Sequence, residues 1–382
     1  MFYQDWSEFW WSSITGAHLA VTKVVDALSE NSALIVQIPA DMPWRQEMRS
    51  VIEDEFRKKT GYSEMIIEII DASDECTEDE SPGRFLLEKF APNKEVRNGY
   101  RERSHKTIQE YIKEKSVLKN RVIWIKGFSE KQVGKWISFC KDYHSQSSEN
   151  GLFVLEIRSE IPLQDSSEIC SVRLFDCISG YDVLLLCSFI AEDIVGLSSE
   201  WKKYISTVAS EICETDAEIA SRLMEIMNIK KQAPLQIVSD LAELKSYSAR
   251  GADKNSNHVF SLLRRGHIEK LERRLWRAQV KTLFPIIEME RIYVISCYQN
   301  ELQKNLNENI IEQYNKRITN PFDVELGTLC YMMSNTIKNF CIKNKSIRDR
   351  IQFLHDCRNH LAHAHCCSLE EVQKLLDNLL IY

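Results

Sequence analysis

The sequence predicts an α/β N-terminal region followed by an all-helical remainder, and three observations carry that division. Short apolar runs alternate with amphipathic stretches over roughly the first half of the chain. Beyond about residue 198 no persuasive strand pattern remains. The polar stretch from Ser248 to Asn257 then separates two helical patterns. Three domains are therefore expected: 1–197, an α/β domain; 198–256, a helical linker; and 257–382, a helical C-terminal domain.

The elements follow in order. Leu19, Val21, Val24, Val25 and Leu28 give an amphipathic helix over 17–30. Ala33 to Pro39 is a nearly unbroken apolar run, as expected of a strand buried on both faces. A short turn, Ala40 to Pro43, leads to a helix from Trp44 to about Lys59. Met65–Ile70 is a second strand, and the acidic stretch Asp71–Gly83 a surface loop. A basic helical segment over about 97–118 includes Arg97, Arg101, Arg103, Lys106, Lys113 and Lys115. Arg121–Gly127 and Leu152–Arg158 are the third and fourth strands, with a helix over about 129–143 between them. Asp182–Cys187 reads either as a fifth strand or as the opening of a helix. Strands alternating with helices imply a parallel sheet covered on both faces. Further on, helices are expected over 199–246, from Val259 to Leu275 or beyond, and over about 284–305, 323–343, 346–364 and 369–380. Ser368 and Glu371 form a capping box for the last of these.

The totals bound the function. A chain of 382 residues, 44% hydrophobic and 27% charged, has ample capacity for packed cores. Its net charge of −7 argues against broad, non-specific binding to nucleic acid, so any such site must be a local basic patch. Twelve cysteines without a CxxC pair indicate neither a zinc ribbon nor a disulfide framework, and free thiols suit a reducing cytoplasm. The aromatic, acidic N-terminus lacks the basic flank of a signal peptide, and no apolar run approaches membrane length. A cytoplasmic location without membrane association is expected.

The order of strands and helices in the N-terminal region resembles the core of a P-loop ATPase of the AAA or STAND type. That resemblance implies a phosphate-binding Gly-x-x-x-x-Gly-Lys-Ser/Thr turn after the first strand. Here the turn is Ile38-Pro39-Ala40-Asp41-Met42-Pro43-Trp44-Arg45, with no glycine, no lysine and two prolines that lack N–H donors. The third strand ends in Lys126-Gly127, where the resembled fold carries a magnesium-binding acid. Gly127 and Gly134-Lys135 mimic the motif, but with six residues between the glycines instead of four. Arg158 stands where a sensor arginine would, or is a solvated strand end. The reading is a degenerate P-loop ATPase-like fold acting as a regulatory module, with no cofactor.

The densest chemistry lies near the C-terminus, in His355-Asp356-Cys357-Arg358-Asn359-His360-Leu361-Ala362-His363-Ala364-His365. Ile347, Ile351, Leu354 and Leu361 form a helical apolar stripe, and Arg358 falls on it. A guanidinium on such a stripe needs a polar cleft or a partner, because burying one alone costs several kcal/mol. Arg358-Asn359-x-x-x-His363 resembles the signature of the HEPN superfamily, small helical domains of prokaryotic RNA-cutting toxins and defence proteins. Phe322 to Leu329 also resembles the helix opening that often precedes that signature. The resemblance covers roughly 257–382. It implies metal-independent RNA cleavage in a homodimer or larger homo-oligomer, with Arg358 clamping the phosphate and a histidine as acid or base. Two histidines compete: His363 matches the motif, whereas His365, seven residues from Arg358, shares its helix face more closely. Asn359 either binds phosphate or fixes a histidine tautomer.

Arg264, Arg265, Lys270, Arg273, Arg274 and Arg277 are either a solvated helix face or an RNA-backbone track. Trp276 is expected in the core rather than as a base-stacking platform. His360, His363, His365, Cys366 and Cys367 could offer zinc ligands, but adjacent cysteines rarely hold one ion together, and no metal is expected. The alternative to a nuclease is a non-catalytic dimerisation or adaptor protein in a defence complex with a protein partner.

Overall fold

Strands with no polar alternation along them become the inner strands of one parallel sheet. The computed structural model describes residues 5–61, 65–101, 106–143, 151–161, 169–226, 232–252, 257–313, 315–334 and 340–380. It forms two units, Met1–Asp182 and Val183–Tyr382.

The first unit opens with α1 (Trp6–Ser13) and α2 (Thr15–Glu30), followed by β1 (Ala33–Ile38), α3 (Arg45–Thr60) and β2 (Ile66–Asp71). Next come α4 (Ala72–Glu75), α5 (Pro82–Phe90), α6 (Lys94–Gly99) and α7 (Ile108–Glu114). It closes with β3 (Arg121–Lys126), α8 (Glu130–Asp142), β4 (Leu152–Arg158) and β5 (Cys170–Arg173). The sheet order is β2-β3-β4-β1-β5, with every neighbouring pair parallel. β1 runs beside β4 from Ala33 opposite Phe153 to Ile38 opposite Arg158. β1, β3 and β4 are buried almost throughout, whereas β2 and β5 are the half-exposed edges.

The fifth strand is Cys170–Arg173, and Asp182–Cys187 instead lies in α9 (Gly180–Asp193). Val183, Leu186, Cys187 and Ile190 are buried at helical spacing, which decides the matter. Asp182 accepts from Ser179 N and from Gly16 N, each at 2.8 Å. Gly16 is required there, since a Cβ would come within 2.6 Å of the Cys177 carbonyl. The acidic stretch after β2 carries the short helix α4. The basic segment splits into α6 and α7, and Arg103 lies outside the described residues.

At the carboxyl end of β1 the turn is closed by its own side chains. The Arg45 guanidinium donates to Pro39 O at 3.1 Å and to Ala40 O, and Ala40 N donates to Glu160 at 3.2 Å. At the ends of β2 and β3, Asp71 pairs with Lys126. Arg158 is exposed at the end of β4.

One carboxylate is buried inside this unit. Glu156, on β4, accepts a two-pronged contact from Arg49 on α3 at 2.8 and 2.9 Å, and a third bond from Trp124 Nε1 at 2.8 Å. Its side chain is 3% exposed. Removing one partner of such a pair strands the other charge. Arg49→Met should lower stability by about 3–5 kcal/mol in urea melts. Arg57→Met, which breaks the half-exposed pair with Glu53, should cost under about 1 kcal/mol.

The second unit is helical: α10 (Ser199–Cys213), α11 (Ala217–Ile226), α12 (Pro234–Ala242), α13 (Val259–Arg264), α14 (Ile268–Cys297) and α15 (Gln299–Glu308). A two-stranded hairpin, β6 (Glu312–Gln313) and β7 (Lys316–Arg317), interrupts it before α16 (Leu326–Ser334), α17 (Lys345–Ala362) and α18 (Leu369–Asp377). α10 packs along α14, so helices from the 198–256 segment and from 257–382 share this unit. The break expected near residue 284 is absent. α14 continues through Pro285, which is exposed while Leu283 and Ile287 beside it are buried. α16 stops at Ser334, and residues 335–339 of the expected 323–343 helix lie outside the described residues. Among the described residues no helix is long and apolar enough to cross a membrane.

Asp216 ties α11 to the segment before α13. Its carboxylate accepts from Arg250 at 2.6 Å and lies 2.8 Å from His258 Nε2. His258 Nδ1 accepts from Phe260 N, so Nε2 carries the proton toward Asp216. Burial alone would raise the Asp216 carboxyl, but the His258 bond and the Arg250 charge hold it below its usual value. A depressed carboxylate contributes stability that is complete above about pH 4 and is lost as pH falls through the folded-state value. Acid titration of this unit should show that loss, and Asp216→Asn should remove it while lowering stability at pH 7.

Candidate functional site

The motif helix is α17. Asn344 caps it by accepting from Ser346 N and Ile347 N. Its buried face is Arg350, Ile351, Leu354, Cys357 and Leu361. The arginine on the stripe is therefore Arg350, which the sequence analysis did not single out, and Cys357 fills the place expected of Arg358. Arg350 forms a two-pronged ion pair with Glu290 of α14 at 2.8 and 2.6 Å. It also donates to Lys374 O at 2.8 Å and Leu375 O at 3.2 Å, near the end of α18. Glu290 is fully buried.

Arg358 lies on the flank of the stripe, with its side chain 31% exposed. Its described partner is Glu325, just before α16, at 3.5 Å, the long limit of a hydrogen bond. Asn359 contacts His355 instead of standing free: its Nδ2 lies 3.1 Å from His355 Nε2. An amide nitrogen can only donate, so Nε2 accepts and the His355 proton sits on Nδ1. This contact engages His355 and neither of the motif's candidate histidines, His363 and His365. Gly327 of α16 makes room for that ring, since a Cβ there would lie 3.3 Å from Nε2.

The helix ends sharply at Ala362. Ala364 adopts a left-handed conformation (φ 60°), His365 N donates to His360 O at 2.8 Å, and Ala364 N donates to Leu361 O at 3.3 Å. These are the paired bonds of a Schellman cap, made without its usual glycine. Trp276 Nε1 donates to Leu361 O at 2.7 Å, so that ring seals the helix end. His363 and His365 are both exposed beyond the last turn.

The Ser368–Glu371 capping box forms as expected, with bonds of 2.7 and 3.3 Å. Cys367 is buried just before it, and Gln279 of α14 holds its backbone on both sides, accepting from Cys367 N at 2.7 Å and donating to Cys367 O at 3.0 Å. The neighbouring Cys357 thiol and burial push the Cys367 thiol far up, and burial pushes Cys366 up to about 11. Neither is a ready nucleophile.

The basic run divides. Arg274 is buried and bonds Ile212 O and Asn257 O at 2.8 and 2.7 Å, besides pairing with Glu214. It is a packing residue rather than part of a surface track. Arg264 is tied to Arg250 O and Tyr247 O, Arg265 to Ser261 O, and Arg277 to Glu211 at 3.3 Å. Lys270 and Arg273 are exposed and make no ion pair among the described residues.

Glu290 and Gln279 do not stand out in the sequence, and Glu325 and Glu371 read there only as part of a helix opening and of a capping box. Glu290 still had a signal: with Ile287 and Val294 it lies on the buried stripe of α14, the same mark that drew attention to Arg358. The chain matches no protein-family model, and no curated protein or solved structure is significantly similar to it. What stands is an α/β region with a five-stranded parallel sheet, followed by a helical C-terminal region.

The two arginines of α17 should separate cleanly. Arg350→Met should destabilise the chain by about 3–5 kcal/mol, because it leaves Glu290 charged and buried. Arg358→Ala should change stability by less than about 1 kcal/mol in the same melts.

Proposed function

We propose that this chain is a metal-independent endoribonuclease of the HEPN type, joined to an ATPase-like module that does not hydrolyse nucleotide. The observation that carries the reading is the contrast within α17. Arg350 is wholly committed to Glu290 and two carbonyls, whereas Arg358 keeps a partly exposed guanidinium five residues before the exposed His363. An arginine fork grips two phosphate oxygens and offsets charge on the phosphorane, and a histidine titrates where proton transfer is needed. Neither side chain encloses a substrate alone, which fits a cleft shared between the α17 helices of two chains. His365 is the second candidate for the proton-transfer role. Lys270 and Arg273 are the cations left to guide the RNA backbone. In the α/β unit, Arg45 fills the turn after β1, and Lys126 neutralises Asp71, so neither phosphate nor magnesium has its usual partners. A bacterial toxin or anti-phage defence role in the cytoplasm accompanies this reading.

A second reading rests on the same pairings: Glu325 beside Arg358, and an interior Arg274, leave little free positive charge. A non-catalytic dimerisation or adaptor role in a defence complex would follow. The two readings separate on incubation of purified protein with RNA and no added divalent cation. The nuclease reading predicts cleavage to ends bearing a cyclic phosphate, reduced at least about 100-fold by Arg358→Ala or His363→Ala. Unchanged cleavage by both variants contradicts the assignment, and absence of cleavage by the wild type with its partner favours the adaptor.

A further inference from the structure

We propose that His360, Cys367 and Glu371 form a binding site for a zinc-type divalent cation, joining the end of α17 to the start of α18. The three donor atoms lie within 4.8 Å of one another, and each comes from a different ligand class. His360 Nδ1 is buried without a hydrogen-bond partner, although Glu371 Oε1 is 3.3 Å away. An imidazole nitrogen placed so is already paid for in desolvation and has no bond to show for it. Glu371 Oε2 accepts from Ser368 N, which orients the carboxylate and leaves Oε1 toward the imidazole. Cys367 is fixed by the two Gln279 bonds to its backbone.

The spacing suits the ion. Metal–ligand bonds of about 2.0–2.3 Å in a tetrahedron place donors roughly 3.3–3.8 Å apart. The His360–Glu371 pair already stands at 3.3 Å, and the Cys367 sulfur needs to close in by at most about an ångström. A nitrogen, sulfur and oxygen set suits zinc and does not suit calcium or magnesium, which take oxygen ligands. His360 and Glu371 are 45% and 25% exposed, which leaves an entry path and a fourth position open to water. On binding, the Cys367 thiol releases its proton to solvent and the thiolate sulfur bonds the metal. The site would hold the sharp cap at Ala364 and so fix where His363 and His365 project. It takes no part in the proposed cut, and stands or falls independently of it.

The test is titration of chelator-stripped full-length protein with zinc, and with cobalt as a spectroscopic probe. One equivalent per chain, tetrahedral cobalt bands with a thiolate charge-transfer band, and a rise of a few degrees in Tm with zinc are expected. His360→Ala and Cys367→Ser should each weaken binding at least 100-fold, and Cys367→Ser should abolish the charge-transfer band. Because Cys367 is buried, His360→Ala serves if Cys367→Ser fails to fold. Cys366→Ser and a double His363→Ala, His365→Ala variant should bind as the wild type does. Binding below one equivalent, binding that survives His360→Ala, or binding lost in the double variant overturns the proposal.

Discussion

The second unit depends on one buried ion pair. Glu290 on α14 and Arg350 on α17 meet in a fully desolvated, two-pronged contact, and Arg350 also bonds two carbonyls of α18. Such a pair adds little net stability over an apolar replacement, yet breaking it by halves is costly. Its consequence is geometric: a single guanidinium sets the rotation of α17 against two other helices. With that rotation fixed, Arg358 must lie on the flank, beside Glu325 and the His355–Asn359 pair, while His360 faces Glu371 on the other side.

The end of α17 is set as tightly as its middle. Trp276 seals the Leu361 carbonyl, Ala364 takes a left-handed turn, and the capping box of α18 begins four residues later. A left-handed alanine is strained relative to glycine. That strain coincides with the cluster of His360, Cys367 and Glu371, and with the two exposed histidines of the motif. Strain of this kind persists where neighbouring bonds over-determine it, here the Gln279 clamp and the indole bond.

Much of the architecture was legible because burial leaves a pattern. Ala33–Ile38 and Leu152–Arg158 read as strands since both faces are covered and no polar alternation interrupts them. Cys170–Arg173 did not, being a four-residue edge strand whose burial alternates. The helix boundary expected near residue 284 is absent because Pro285 lies on the exposed side of α14 and the packed residues around it carry the helix through. The site was legible as composition more than as geometry. Spacing placed Arg358 on the apolar stripe, but a stripe is about 100° wide, and Cys357 and Arg350 take its centre. Partners 33 and 60 residues away in sequence, Glu325 and Glu290, leave no local trace of the pairing. The same holds for Arg274, whose carbonyl partners Ile212 and Asn257 made it a core residue in a run that read as a surface.

In the proposed cut, Arg358 and a histidine of the same motif act on one phosphate from two different chains. Mixing Arg358→Ala and His363→Ala chains tests it directly. One shared cleft of the mixed dimer keeps one guanidinium and one imidazole, so RNA cleavage should recover well above that of either variant alone. A mixture as inactive as its components, under conditions where the wild-type chain cleaves, would contradict it.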